Sequence, residues 1–377
     1  MKRSSRVVFV LLCLIILLGI GVGAGAADLI VPSMELITRG YFDAGRFVLG
    51  TRGDLEFEIA GGYKVGGRIA LGIESDSLAD ISLPAFVQFR AASVTARSLF
   101  SKTIDLTYFV GEHDVFADGS SFVKDYGTVP IATDYSGYMY FPTGVRYNGL
   151  YAPTGMGLEI ATSPELWERF SLSGYIYQDS YLTDVFGQPG YFSADIRAMV
   201  NFEQFKLEGF FGLSFPGAWA GLYRTGILLF YNPGPVGEFL MQVGIPRWDP
   251  VLDPLSINLF YFLFEPRLHF DIFSIILTLF WHPEYYNQQV TGELGSADIN
   301  ANFRFGDLDR SHLAGGLETT ALFRSPATGL DQFRFLVSPY FSAVTAGIIW
   351  NIKLNVQVFP VEFPEMFEAF IGVKAEF

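Results

Sequence analysis

The sequence predicts an all-β fold, a transmembrane antiparallel β-barrel of about 16–18 strands with long external loops. Three observations lead there. Apolar and polar residues alternate with a period of two, as where Ala297, Ile299, Ala301, Phe303 and Phe305 interleave with Asp298, Asn300, Asn302 and Arg304. A strand with two unlike faces produces that pattern and a helix does not. The chain opens on the basic, apolar and small-residue blocks of an export signal. Beyond that signal no uninterrupted apolar run reaches the length of a membrane helix, although half of the 377 residues are hydrophobic and 38 are Phe.

The N-terminus comes first. "MKRSSR" is the basic block, "VVFVLLCLIILLGIGVG" the apolar block, and Ala24 to Ala26 supply an A-x-A cleavage site. Residues 1–26 are therefore expected to be a cleaved signal peptide and 27–377 a single barrel domain. An uncleaved anchor fits less well, because the run is short and ends in small residues. Cys13, the one cysteine, lies inside the signal, with Leu12 before it where lipid attachment would want a small residue. The remaining chain then has neither disulfides nor thiol chemistry. Its formal charge, −14 for the whole chain and −17 without Lys2, Arg3 and Arg6, argues against a nucleic-acid partner.

Strands follow in order at 34–50, 53–63, 66–75, 85–98, 102–111, 146–162, 169–178, 193–202, 205–214, 220–231, 236–245, 255–264, 267–281, 294–305, 312–323, 331–341, 344–358 and 366–377. The first is expected to bend at "DAG". Their number is even, as a single-chain bacterial barrel requires. With the first strand running outward, "KVGG", "EQ", "NPGP" and "EP" become short turns on one side, and the longer connections gather on the other. Alternation alone suits a soluble sandwich equally well. Export, the absence of disulfides, and aromatics near strand ends, such as Tyr41, Tyr108, Tyr231, Trp281 and Phe359, favour the membrane barrel with its interfacial girdles.

The last strand sets Phe367, Ala369, Ile371, Val373, Ala375 and Phe377 on one parity. With Gly372 five residues before Phe377, "GVKAEF" resembles the C-terminal signal that the barrel-assembly machinery reads in bacterial outer-membrane proteins. It departs from that signal at Ala375, where a larger apolar residue is usual. The resemblance implies an integral outer-membrane location, with outer-membrane lipid, the assembly machinery and periplasmic chaperones as partners.

A second stretch, "YFVGEHDVFADGSS" followed by "VRYNGLYAPTGMGLEI", resembles the region of general bacterial porins where the third external loop folds into the lumen as a constriction. That resemblance implies a diffusion channel, with a homotrimer as one assembly, and makes 112–145 the candidate constriction. Unpatterned loops of that length are usually functional. Its Glu112, Asp114, Asp118, Asp125 and Asp134 would set a negative potential, and Arg39, Arg68, Arg90, Arg146 and Arg197 have the parity to form a basic side opposite. In the competing reading the loop lies outside or covers another subunit, and the arginines balance Glu56, Glu74 and Glu159.

No catalytic residue, metal site or cofactor is expected. His113, His269, His282 and His312 show no metal-ligand spacing. His113 beside Asp114, with Ser120 and Ser121 near, reads as a solvated pair rather than a hydrolytic set. The expected function is passive diffusion of small hydrophilic solutes or ions, with a modest preference for cations. Two alternatives stand beside it. Leu255 to Trp281, apolar on both parities, suits a hydrophobic-substrate channel of the fatty-acid transporter type or a subunit contact, although too few residues precede the first strand for that family's hatch. A surface adhesin would keep its lumen blocked.

Overall fold

Alternation becomes strand along the whole barrel. A computed structural model describes residues 28–60, 64–75, 86–136, 149–162, 167–180, 191–215, 221–283, 294–325 and 333–376. The expectations for residues 1–26, Arg146 and Phe377 lie outside that set. The described residues form β1 (Asp28–Asp43), β2 (Arg46–Ala60), β3 (Val65–Ser75), β4 (Phe86–Ser98), β5 (Ile104–Glu112), β6 (Thr154–Thr162), β7 (Phe170–Asp179), β8 (Phe192–Asn201) and β9 (Phe205–Phe215). They continue through β10 (Leu222–Gly234), β11 (Gly237–Trp248), β12 (Tyr261–Phe270), β13 (Phe273–His282), β14 (Leu294–Asp307), β15 (Leu313–Ser325), β16 (Phe333–Thr345), β17 (Ile348–Phe359) and β18 (Phe367–Glu376).

Each strand pairs antiparallel with the next, and β18 pairs with β1 from Ser33↔Glu376 to Tyr41↔Glu368. The sheet is closed at eighteen strands and has no edge. Outward residues are apolar and exposed, among them Ile176, Ile196, Phe211, Ile299, Ile352 and Ile371. Their inward neighbours are largely polar: Tyr175, Asp195, Arg197, Asn300, Asn302 and Lys353 are buried.

Two turns fall elsewhere than the sequence suggests. The predicted strand 34–50 is a hairpin: Ala44 (φ 47°) and Gly45 (φ 74°) both take left-handed backbone, which closes a two-residue turn. The predicted "EP" turn is strand. β12 runs through Glu265, Pro266 and Arg267, and the chain reverses at Asp271–Ile272, with Asp271 at φ 48°. Pro266 is tolerated because the β12–β13 ladder is interrupted, in unchanged register, between Phe264↔Leu279 and Arg267↔Ile276, where its missing N–H falls. β6 starts at Thr154 and β12 at Tyr261, both later than expected.

Connections alternate between the two ends of the barrel. Where β1 begins and β18 stops they are short, as at 202–204, 235–236, 271–272 and 346–347. The other end carries 113–153 and 249–260. One buried apolar cluster joins inward residues of β9–β13, including Phe210, Leu228, Leu240, Tyr261, Leu263 and Phe280, to Phe116, Phe122, Ile131, Tyr135 and Leu150 from the first of those connections.

Candidate functional site

Near the end of β5, Gly111 has a φ of 89° and approaches Arg90 so closely that a Cβ would lie 2.0 Å from its carbonyl oxygen, which admits glycine alone. Residues 113–136 then pack against the inner faces of β6–β14 at three anchors. At the first, the His113 imidazole meets Glu159 at 2.8 Å, and Tyr175 donates its hydroxyl to Asp114 and Glu159. Asp114 also pairs with Arg197 at 3.4 Å and Lys124 at 3.6 Å. At the second, the Ala117 N–H donates to Glu208 (2.8 Å) while Gln242 donates to the Ala117 carbonyl.

The third anchor is centred on Glu265. Its carboxylate accepts from the Thr133 hydroxyl and the Asp134 N–H, and Arg267, paired with it, donates to the Ala132 carbonyl at 2.6 Å. Tyr135 donates to Asp298, and Arg304 pairs with Asp134 at 2.7 Å. The returning arm is fixed as well. Phe116 and Leu150 exchange backbone bonds with Tyr151 and Phe116, and the Tyr151 ring lies 4.2 Å beneath the Arg224 guanidinium. Arg224 is itself held by Asp195 at 2.6 Å.

These contacts explain the segment Leu255 to Trp281. Tyr261, Leu263 and Phe280 face inward and are apolar because they pack in one cluster with Phe116, Phe122, Ile131, Tyr135 and Leu150, not because they line an apolar passage.

The opposite sector stays open. Arg68 and Glu56 are 39% and 31% exposed, Asp54 is 40% exposed, and Arg97 and Glu58 are 44% each. On the segment itself Lys124 is 61% exposed and Val129 79%. Between β4 and β18, therefore, charged side chains meet water inside the barrel.

The predicted site residues divide accordingly. Arg39, Arg68 and Arg90 pair with Glu368, Glu56 and Asp54 on neighbouring strands, so they balance the wall instead of facing the acids of the segment, although Arg68 also donates to the His113 carbonyl at 3.3 Å. Arg197 does meet a segment carboxylate, Asp114. Asp114 and Asp118 are buried, Asp134 is tied to Arg304, and Asp125 is half-buried; Glu112 ends β5. Burial pushes Asp114 up, yet Lys124, His113 and Arg197 together hold it well below the usual carboxylate range. Burial raises Asp118 and Asp125 to about 6 each.

The imagined hydrolytic set is not assembled. His113 is engaged by Glu159, and Ser120 donates to Asp118. Ligand atoms of His113, Asp114 and Glu159 do lie within 4.8 Å of one another, a grouping hidden in the sequence because Glu159 sits on the next strand. Arg197 and Lys124 balance the two carboxylates and would oppose a cation there. Sequence reasoning also missed Tyr175, Glu208, Gln242, Glu265 and Asp298. The one available signal was polar residues of inward parity interrupting apolar strands, as Gln242 does in "FLMQVG".

By architecture this is a closed antiparallel barrel of eighteen strands with a chain segment packed inside it. No family model and no curated protein matches the sequence. Among solved structures, the chain is similar to one described as "Asymmetric conductivity of engineered proteins", at 11% identity and a TM-score of 0.46 over 93% of this chain and 100% of that one. It is also similar to mutants of the Rhodopseudomonas blastica porin: a triple mutant matches at 10% identity and a TM-score of 0.45, again over 93% and 100% of the two chains.

Proposed function

We propose that this chain is an outer-membrane, porin-like channel for passive diffusion of small hydrophilic solutes and ions, with 113–136 as its constriction. One observation carries the proposal. The segment is bound chiefly to β6–β14 and leaves paired, partly exposed charges on β1–β4 and β18 facing water inside a closed apolar-coated wall. A passage lined by hydrated charges accepts polar solutes and disfavours apolar ones. The fatty-acid-type alternative loses its motivation, since the inward apolar residues of β12 and β13 are covered.

Selectivity should be weak. Wall arginines and carboxylates cancel pair by pair, and the exposed Lys124 opposes the half-buried Asp125 of the segment, so a cation preference rests chiefly on Asp125. The export signal, the C-terminal assembly signal and a trimeric state belong to this same proposal. Single-channel recording of the refolded chain in planar bilayers tests it: a stable ohmic conductance is expected. A folded, inserted barrel without conductance would instead indicate a closed surface-interaction barrel.

A further inference from the structure

The connection from β11 to β12 is unusual for a loop at the water-facing end of a barrel. Of residues 250–257 only Asp253 and Ser256 are polar, and all eight are exposed. Val251 is 70% exposed, Leu252 75%, Leu255 63% and Ile257 65%. Aqueous loops rarely present so contiguous an apolar surface.

The stretch is also pinned to the outside of the barrel. Two outward tryptophans hold its backbone: Trp248 of β11 donates its indole N–H to the Asp253 carbonyl at 2.9 Å, and Trp281 of β13 donates to the Ile257 carbonyl at 3.2 Å. Half of its own N–H donors are satisfied internally. Pro250 and Pro254 have no N–H. Asp249 accepts the N–H groups of Val251, Leu252 and Asp253, and the N–H groups of Leu259 and Phe260 go to Ser256 and Ile257. A backbone that faces hydrocarbon needs this internal accounting, and a hydrated one does not.

We propose that residues 250–257 form a lipid-facing flap that lies against the barrel wall and buries Val251, Leu252, Leu255 and Ile257 in the interfacial and acyl region of the bilayer leaflet at the long-loop end. Lipid is the occupant because the flap leads straight into the exposed apolar belt, which includes Phe262 near the start of β12 and Ile227 two strands away on β10. Two indoles at its base match the interfacial position that tryptophan favours. The flap thus thickens the apolar girdle on this side and anchors the barrel against tilting. The inference rests on the reading of the barrel as membrane-spanning.

The test uses single cysteines in a Cys13→Ser background, at Leu252, Leu255, Ile299 (outward on β14) and Arg310 (an exposed turn). Each is labelled with an environment-sensitive fluorophore after refolding into phosphatidylcholine vesicles, then quenched by brominated lipid or by aqueous iodide. The labels at Leu252 and Leu255 should follow Ile299, with strong lipid quenching and iodide quenching reduced several-fold relative to Arg310. Iodide quenching equal to that at Arg310 would overturn the flap while Ile299 still reports lipid. Shielding from both quenchers together with cross-linking between copies would overturn it in favour of a subunit contact. If Ile299 itself is not quenched by lipid, the membrane-spanning reading fails instead.

Discussion

Replacing Glu265 by alanine should unfasten the far end of the internal segment. The carboxylate is fully buried and accepts from Thr133, the Asp134 N–H, Thr278 and Arg267, so four donors lose their acceptor together. Arg267 keeps Glu238 at 3.0 Å, which softens the loss. Charge-assisted bonds of this kind contribute ~1.5–3 kcal/mol each but do not add. Removing one partner of a buried ion pair costs ~3–5 kcal/mol in all. At about 1.4 kcal/mol per tenfold, the docked state of 131–136 loses roughly two to four orders of magnitude in population. Heat-modifiable gel mobility confirms that the barrel has formed, and single-channel recording then reads the effect. Glu265→Ala should raise mean conductance and open-channel noise, and Glu265→Gln, which retains an acceptor, should fall between it and the parent. A folded Glu265→Ala barrel with the parent's conductance and noise would refute the anchor.

Asp118 is buried and its carboxyl is raised from 3.8 to about 6 in the folded chain. Its stabilising contribution is therefore complete below pH 4 and lost as pH rises through 6, a change of about 3 kcal/mol at most. Asp118→Asn, which can still accept from Ser120, should flatten that part of the profile in urea unfolding at pH 5 and pH 8; an unchanged pH dependence would count against it. Asp125, raised to about 6 by burial, should lose its negative charge on acidification. Reversal potentials in a salt gradient should then show cation preference declining from pH 7 to pH 5, and staying low at both in Asp125→Asn. Deleting Phe377, or replacing it by Asp, should lower outer-membrane levels while leaving barrel formation in detergent intact; normal surface levels would make the ending incidental.

Much of the barrel was legible because a two-residue period forces one face outward. Ile299 and Ile371 were placed from the sequence alone, and the number of strands follows from the same pattern. Turns were less legible. Ala44–Gly45 lacks the Asn or Asp that usually marks left-handed backbone, and Pro266 reads as a breaker although a lapse in the ladder accommodates it. The sequence located the internal segment by its length and lack of pattern, but its anchors are single polar side chains on distant strands, and nothing local connects Glu208 with Ala117 or Glu265 with Thr133. Inward parity also proved different from wetness. Asn300 and Lys353 face inward but are 2% and 1% exposed, the latter against Glu318, so inward parity there does not bring contact with water.

Where the open path runs decides the proposed function. Single-channel current measured through Asp125→Cys and Arg68→Cys, before and after adding a charged methanethiosulfonate reagent, addresses it directly, with Asn300→Cys and Ile299→Cys as buried and outward references. A path between the segment and β1–β4 predicts a stepwise fall in conductance at Asp125→Cys and Arg68→Cys and none at the references. Unchanged current at both test positions in a conducting barrel, or block at Asn300→Cys alone, would place the path elsewhere and contradict the account.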